Sequence, residues 1–428
     1  MKEFWQFISL TDANVRNVVL GVMLLSATSA VVGCFAFLRK RSLVGDAVAH
    51  AVLPGICLAF MITLTKNPLV LLLGASLSGL ASIYSIDLIT KNSKLKADAA
   101  VAIVLSVFFG LGLVLLSHIQ HSGNASQSGL DKFLFGKAAS LTLDDIYSFA
   151  SVAIIMLIVV LLFYKEFKIL CFDSKYAHTL GLPVSVLEML LSLLTVLAVV
   201  IGIQAVGVVL MAAMLITPAV VGRSFTNNLT SMIFIAAFSA IISSLAGTYV
   251  SFIESSMPTG PWIVFFMSMI AFLAFMFAPK KGILSKYIKQ LQNKAKIREE
   301  NLLKIFYNLG EKEGNFTQSR TVNELSMAKN YNFTNIYSLL FSLRRHGYIE
   351  KNGNAYTLTK AGYQKGKRVT KAHRLWESYL SEHLLIPADH VHHNADAVEH
   401  LISPELEQEI RNSLTNPNLD PHQTKIPK

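Results

Sequence analysis

The stretch Gly45-Asp46-Ala47-Val48-Ala49-His50-Ala51-Val52-Leu53-Pro54-Gly55 lies between two long apolar runs, where charge is scarce. Asp46 and His50 are four residues apart, so a helix places them on one face. Ionisable side chains inside a bilayer are costly and usually line a pathway or cavity. A carboxylate and a neutral imidazole are also acceptable ligands for a borderline divalent cation. The pair reads as part of a metal path through a membrane. It reads equally as a helix cap, Asp46, with His50 packed near the interface. Spacing alone leaves both readings open.

The rest of the chain supplies the setting. It has 428 residues, 53% of them hydrophobic and 15% charged, with a mean hydropathy of +0.48. Soluble proteins are usually about a quarter charged, so much of this chain is expected in a membrane. The 38 Lys and Arg against 27 Asp and Glu need not signal nucleic acid, because the inner loops of membrane proteins are basic. Cys34, Cys57 and Cys171 form no C-x-x-C pair. That argues against a disulfide framework and a thiolate zinc site. Met1 to Asn17 lacks the pattern of a removable signal peptide.

Runs long enough to span a bilayer, about 20 residues each, recur as far as Phe277. The expected spans are Val18–Leu38, Ala47–Thr63, Leu69–Thr90, Ala99–Leu116, Ile146–Tyr164, Val186–Gln204, Val206–Gly222, Ser231–Phe252 and Trp262–Phe277. This count puts every basic loop on one side: Arg39-Lys40-Arg41, Lys91 to Lys96, Lys165 to Lys175, Arg223, and Lys280-Lys281. By the positive-inside rule that side is cytoplasmic. The N-terminus then lies outside and everything after Pro279 inside. Gly207 and Pro218 are expected to bend a span or free its carbonyls.

Between the fifth and sixth spans, Phe172-Asp173-Ser174-Lys175-Tyr176-Ala177-His178-Thr179-Leu180-Gly181-Leu182-Pro183 reads as a short helix with a Gly stop and a following Pro. This loop and the Asp46–His50 stretch occur in one order with Gln204-Ala205-Val206-Gly207, Leu215-Ile216-Thr217-Pro218-Ala219 and Pro258-Thr259-Gly260. Together they resemble the permease subunits of ATP-binding-cassette importers for zinc, manganese and iron, over roughly residues 15–282. The resemblance implies a pore completed by a second permease subunit, a separate ATPase and an extracellular metal-binding protein. It implies that the ATPase grips Asp173–Pro183, with Asp173, Ala177 and Gly181 as the coupling positions. It also implies that Asp46 and His50 are ligands or gate residues. His118 and His121, in the outer loop, either receive metal from the binding protein or are ordinary loop residues. The nearest thing to a phosphate loop, Gly129 to Lys137, has the wrong glycine spacing, and Ala138 replaces the hydroxyl residue. ATP hydrolysis is therefore expected from another chain.

From Lys280 the composition changes. The segment Gly282–Glu300 is rich in Lys, Gln and Asn with apolar residues at helical spacing. They suit a helix held on anionic membrane lipid or a solvated linker. Beyond Glu299 the order is helix Asn301–Gly310, helix Thr321–Lys329, helix Thr334–His346, then a hairpin turning at Asn352-Gly353-Asn354. This is the winged helix-turn-helix order. The helix from Thr334 is expected in the major groove, with Asn335, Tyr337 and Ser338 at base edges and Arg344, Arg345 and Lys351 on phosphates. A protein-binding winged helix is the alternative.

Next come His373 and Glu377 at i, i+4, then His392, Asp396, Glu399 and His400 on one helical stripe. Two imidazoles and two carboxylates on one face are hard to justify as packing. These residues, with the terminal Ile426-Pro427, resemble the iron- and manganese-dependent repressors typified by the diphtheria toxin repressor, over about Glu299–Lys428. The resemblance implies a homodimer on operator DNA. It assigns Asp396, Glu399 and His400 to the main regulatory metal site and His373, Glu377 and His392 to a second. Where the family takes Met or Asp from its first helix, this chain has Asn301, with Glu299 and Glu300 beside it. Asp396 stands where the family often has Cys. An all oxygen and nitrogen set favours Mn²⁺ or Fe²⁺ over soft-ligand metals and remains compatible with Zn²⁺. The family's SH3-like third domain is missing.

The expected architecture is an all-α membrane domain of about nine transmembrane helices (residues 1–282) and a basic linker (283–298). A soluble winged helix-turn-helix domain (299–362) and a helical metal-binding and dimerisation domain (363–428) follow. The expected function is a permease for a divalent transition metal in the bacterial cytoplasmic membrane, fused to a repressor of metal-uptake genes. The C-terminal part is cytoplasmic and is released by cleavage near Lys280–Arg298. The alternative makes the C-terminal half an allosteric gate that senses metal without binding DNA.

Overall fold

The computed structural model describes all residues except 1, 42, 65–66, 122–135, 137–140, 255–256, 280, 329–332, 385–399, 401 and 428. It separates into two compact units, Met1–Lys286 and Tyr287–Lys428.

The first unit is helical. An amphipathic helix α1 (Lys2–Ser9) precedes α2 (Ala13–Leu38), α3 (Val44–Thr63), α4 (Pro68–Asn92), α5 (Ala97–His121) and α6 (Leu143–Leu162). Two short helices follow, α7 (Tyr164–Phe172) and α8 (Ser174–Thr179). Then come α9 (Val184–Val206), α10 (Val208–Phe225), α11 (Leu229–Ile253) and α12 (Thr259–Phe277). Among the described residues, eight helices are long and apolar enough to cross a membrane: α2 to α6, α9, α11 and α12. The ninth expected span is α10, whose apolar part, Leu210–Phe225, is shorter. Gly207, at φ +86°, breaks the chain between α9 and α10 and sets where α10 begins, at Val208. That backbone region is open essentially to glycine alone.

Side-chain chemistry sets the helix ends. Asp12 accepts from the Asn14 amide at 2.8 Å to start α2, and a Thr142–Asp145 capping box starts α6. α2 is the central post, with Val22, Ala30, Cys34 and Phe35 fully buried. It packs against α6, α9, α10 and α11, while α3 packs against α4, α5 and α10. Backbones approach closely where side chains are small. A Cβ on Gly55 of α3 would stand 2.1 Å from the Gly74 carbonyl oxygen of α4, and one on Gly33 would stand 1.8 Å from that of Leu215. Some hydroxyls in this core pair with one another, as where Ser244 donates to Ser26 at 2.6 Å. At one end of the bundle, Arg39 pairs with Glu188, and Arg41 with Asp87 at 3.0 Å.

The long helix α13 (Ile283–Glu313) leads into the second unit, followed by β1 (Arg320–Thr321), α14 (Val322–Ala328), α15 (Phe333–Arg345), β2 (Ile349–Asn352), β3 (Ala355–Leu358), α16 (Lys360–His383) and α17 (Pro404–Ser413). The residues expected as a separate linker, 283–298, are thus the first half of α13. The helix expected from Thr321 gives up its first residue to a strand, because Arg320 and Thr321 pair with Tyr356 and Ala355 of β3. The wing itself is an antiparallel hairpin with Glu350 opposite Thr357 and Gly353 at φ +62° in its turn. Leu302, Leu303 and Phe306 of α13, Leu325, Ile336, Leu340 and Leu343 of the next two helices, and Ile349 and Tyr356 of the wing share one core. A second core joins Ala372 and Leu375 to Ile402, Ile410, Leu414 and Ile426. It is clamped by Arg374, which donates to Glu311 at 3.0 Å and to the Lys425 carbonyl at 2.5 Å.

Candidate metal centres

α3 begins at Val44, and its N-cap position is Leu43, so Asp46 lies within the first turn. Asp46 is therefore not the N-cap residue that one sequence reading made it. His50 sits one turn further on, with Nε2 3.7 Å from Asp46 Oδ1. Its ring meets the edge of Phe109 from α5 at 4.8 Å between centroids. The other ring nitrogen, Nδ1, is buried and has no hydrogen-bond partner among the described residues. A buried imidazole nitrogen left unbonded is costly unless something else occupies its lone pair. The pair fits a transiting divalent cation as substrate, with oxygen and nitrogen donors converging from one helix face.

The elements behind the pair are the other stretches singled out in the sequence. Gly45 abuts the Leu215 side chain, where a Cβ would approach to 2.5 Å. Gly260, in the third stretch, lies 3.4 Å by the same measure from the Val206 carbonyl oxygen. Gly260 thus lies beside the break at Gly207, and Gly45 packs on α10 further along, at Leu215. At the end of α5, His121 Nδ1 lies 2.7 Å from the Ser117 carbonyl, which satisfies it within its own helix.

The α7–α8 corner is built by Asp173, which caps α8 by accepting from the Tyr176 amide at 2.9 Å. Ala177 is fully buried beneath it, and Gly181, at φ +77°, ends it. The corner turns outward three side chains that the motif reading missed. Phe172, Tyr176 and Leu180 are 55%, 55% and 50% exposed. Their i, i+4, i+8 spacing was the available signal.

In the second unit, His373 Nε2 lies 2.8 Å from Glu377 Oε1, and both residues are buried. His400 Nδ1 donates to Glu300 Oε2 at 2.6 Å, and the Lys365 ammonium lies 2.8 Å from Glu300 Oε1. Burial alone would raise the Glu300 carboxyl, but hydrogen bonds and charge from His400 and Lys365 pull it down to about 2. Next along α13, Asn301 Oδ1 is buried without a hydrogen-bond partner among the described residues. That amide oxygen, one residue along from the carboxylate that holds His400, fits a divalent ion preferring oxygen and nitrogen donors. His392, Asp396 and Glu399 lie outside the described residues. Among the described residues no three His, Cys, Asp or Glu side chains gather at one point. Sequence reasoning named Glu300 only as a neighbour of Asn301. Its partners lie 65 and 100 positions away, beyond any local pattern.

On α15, Tyr337, Ser338, Arg344 and Arg345 are exposed, as is Lys351 on the wing. Thr334 and Asn335 lie at the start of that helix, and their side chains are outside the described set. Phe341, one turn after Tyr337, is 70% exposed and was not anticipated.

Comparison with known proteins accounts for both units. Residues 11–278 match the model of the ABC 3 transport family. Residues 359–428 match that of the iron dependent repressor, metal binding and dimerisation domain. The manganese transport system membrane protein MntC of Bacillus subtilis is 41% identical over 87% of this chain and 86% of its own length. The zinc transport system membrane protein TroC of Treponema pallidum is 42% identical over 64% of this chain and 92% of its own. The solved PsaBC complex of Streptococcus pneumoniae with Fab is similar at 31% identity and a TM-score of 0.59, covering 67% of this chain and 99% of the matched one. The chain is accordingly a member of the ABC 3 transport family, a membrane permease that carries a repressor-type metal-binding and dimerisation domain at its C-terminus.

Proposed function

We propose that the chain is the permease of an importer for a divalent transition metal, Mn²⁺ or Fe²⁺ before Zn²⁺, and that its second unit is a repressor responding to the same ion. The observation that carries the transport half is His50, one helical turn from Asp46, with a buried Nδ1 that has no hydrogen-bond partner among the described residues. The cargo exchanges water for these donors as it crosses, and a separate ATPase drives the cycle through the Phe172–Gly181 corner. A second permease subunit completes the pore, and an extracellular binding protein delivers the ion. The basic loops face the cytoplasm, as does the second unit. The exposed first turns of α13, with apolar Ile283, Tyr287 and Leu291 beside several lysines, rest on anionic lipid. Radioisotope accumulation in cells tests this half. His50→Ala and Asp46→Ala each abolish Mn²⁺ uptake while leaving protein in the membrane, and undiminished uptake in both variants refutes it.

In the regulatory half, His400, Asn301, Asp396 and Glu399 hold the ion at the main site, and His373, Glu377 and His392 hold it at the second. The bound ion supplies cross-links between α13 and the C-terminal helices. That shifts the population toward a dimer spaced for a palindromic operator. Arg344, Arg345 and Lys351 contact phosphates, and Thr334, Asn335, Tyr337 and Ser338 face bases. Cleavage within 280–298 frees this unit to reach DNA. A gel shift with the upstream region of the chain's own operon tests it, with Mn²⁺-dependent binding as the outcome. No shift under any metal favours an allosteric gate instead. Immunoblotting of the C-terminus tests the cleavage, which full-length protein alone would exclude.

A further inference from the structure

The donor set read from the sequence omits the residue that holds His400. Glu300 is 5% exposed and each of its two oxygens takes a different partner. His400 Nδ1 donates to Oε2 at 2.6 Å, and Lys365 Nζ lies 2.8 Å from Oε1. Successive residues on a helix point about 100° apart. Glu300 is therefore not a stand-in for Asn301, its neighbour. A neutral imidazole that donates from Nδ1 carries its lone pair on Nε2. A carboxylate behind a ligating histidine fixes the ring's tautomer and angle and raises its basicity. Lys365 in turn occupies the oxygen that Glu300 would otherwise bring to an ion.

We propose that Glu300 is the positioning residue of the regulatory metal centre: it sets His400 with Nε2 toward the ion, and Lys365 confines it to that role. This rests on the reading that the second unit binds a divalent cation through His400. Glu300 touches the ligand and not the metal. Its removal weakens affinity without abolishing the site.

The experiment uses the full chain in lipid nanodiscs, carrying His50→Ala so that the membrane site does not contribute. Mn²⁺ is titrated and the free aquo ion followed by electron paramagnetic resonance, with metal-free thermal melting as the check on folding. His400→Ala tests the underlying reading. If it leaves the titration unchanged, that reading fails. With His400→Ala deleterious, Glu300→Gln is expected to weaken Mn²⁺ binding roughly 10- to 100-fold, the usual effect of losing such a partner. The double variant Glu300→Gln/Lys365→Met separates positioning from mere neutralisation of the lysine, and serves also if the single variant does not fold. Positioning predicts that the double variant stays as weak as the single one. Wild-type affinity in the double variant, or in a folded Glu300→Gln chain, overturns the proposal.

Discussion

Ser342 Oγ donates to Glu299 Oε1 at 2.5 Å, joining the last turn of α15 to α13. His346 Nδ1 lies 3.4 Å from the other oxygen of the same carboxylate. The next residue along, Glu300, holds His400. Two consecutive glutamates thus connect the proposed recognition helix to the proposed metal centre. Glu299→Gln should lower the stability of the second unit by about 1 kcal/mol, the net worth of a typical hydrogen bond. Its larger effect is on coupling. Mn²⁺ affinity stays near wild type while the metal-dependent gain in operator binding shrinks. Parallel Mn²⁺ titrations and gel shifts check this, and an unchanged gain counts against the connection.

The carboxyl of Glu300 titrates in the folded chain near 2, below its ordinary 4.5. A depressed acid stabilises the fold above its unfolded pKa and loses that contribution as pH falls through the folded value. The melting-temperature gap between metal-free wild type and Glu300→Gln is therefore largest above about pH 4.5 and closes toward pH 2. Calorimetry across that window measures it, and a gap that widens on acidification contradicts the assignment.

Arg374 is buried and binds Glu311, the Lys425 carbonyl and, at 3.7 Å, Asp420. Arg374→Met leaves two buried or half-buried carboxylates without their cation. Breaking such a pair typically costs about 3–5 kcal/mol. The C-terminal segment through Ile426 should then become sensitive to carboxypeptidase at temperatures where the wild type resists. Equal resistance would mean the apolar core alone holds that segment.

Gly207 adopts φ +86°, ψ 166° between α9 and α10. Gly207→Ala forces a β-carbon into that region at a cost of roughly 1–3 kcal/mol. A lower melting temperature in detergent is expected, with loss of Mn²⁺ uptake because the break positions α10 behind Gly45. Wild-type behaviour in both assays would show that the chain straightens there without penalty.

Tyr176 presents its ring to solvent between Phe172 and Leu180. Tyr176→Asp places a charge in that apolar stripe without touching buried Ala177. Uptake is expected to fall at least ten-fold with normal membrane insertion, if the stripe seats the ATPase. Co-purification of the ATPase subunit, measured on the same cells, should fall in step.

Much of the membrane unit was legible because long apolar runs have one dominant outcome. The short α10 was legible too, since Gly207 and Pro218 stand where a straight span would not put them. The order of helices and a hairpin in the second unit followed from amphipathic helices and one turn signal at Asn352-Gly353-Asn354. Pairing of β1 was missed because two residues make no periodic pattern. The buried and half-buried charges were missed for a different reason. Glu299, Glu300, Lys365 and Arg374 look like the solvated face of any helix, and their partners come from distant segments. Asn301 was flagged through its position against a family pattern, but its orphaned oxygen is a property of packing that no spacing reveals.

Every side chain from Lys286 to Lys296 on α13 is exposed, whereas the winged-helix core takes its first contributions from Leu302 and Leu303. Three helical turns therefore add nothing to the interior they precede. A polypeptide beginning anywhere among them keeps every residue of that core.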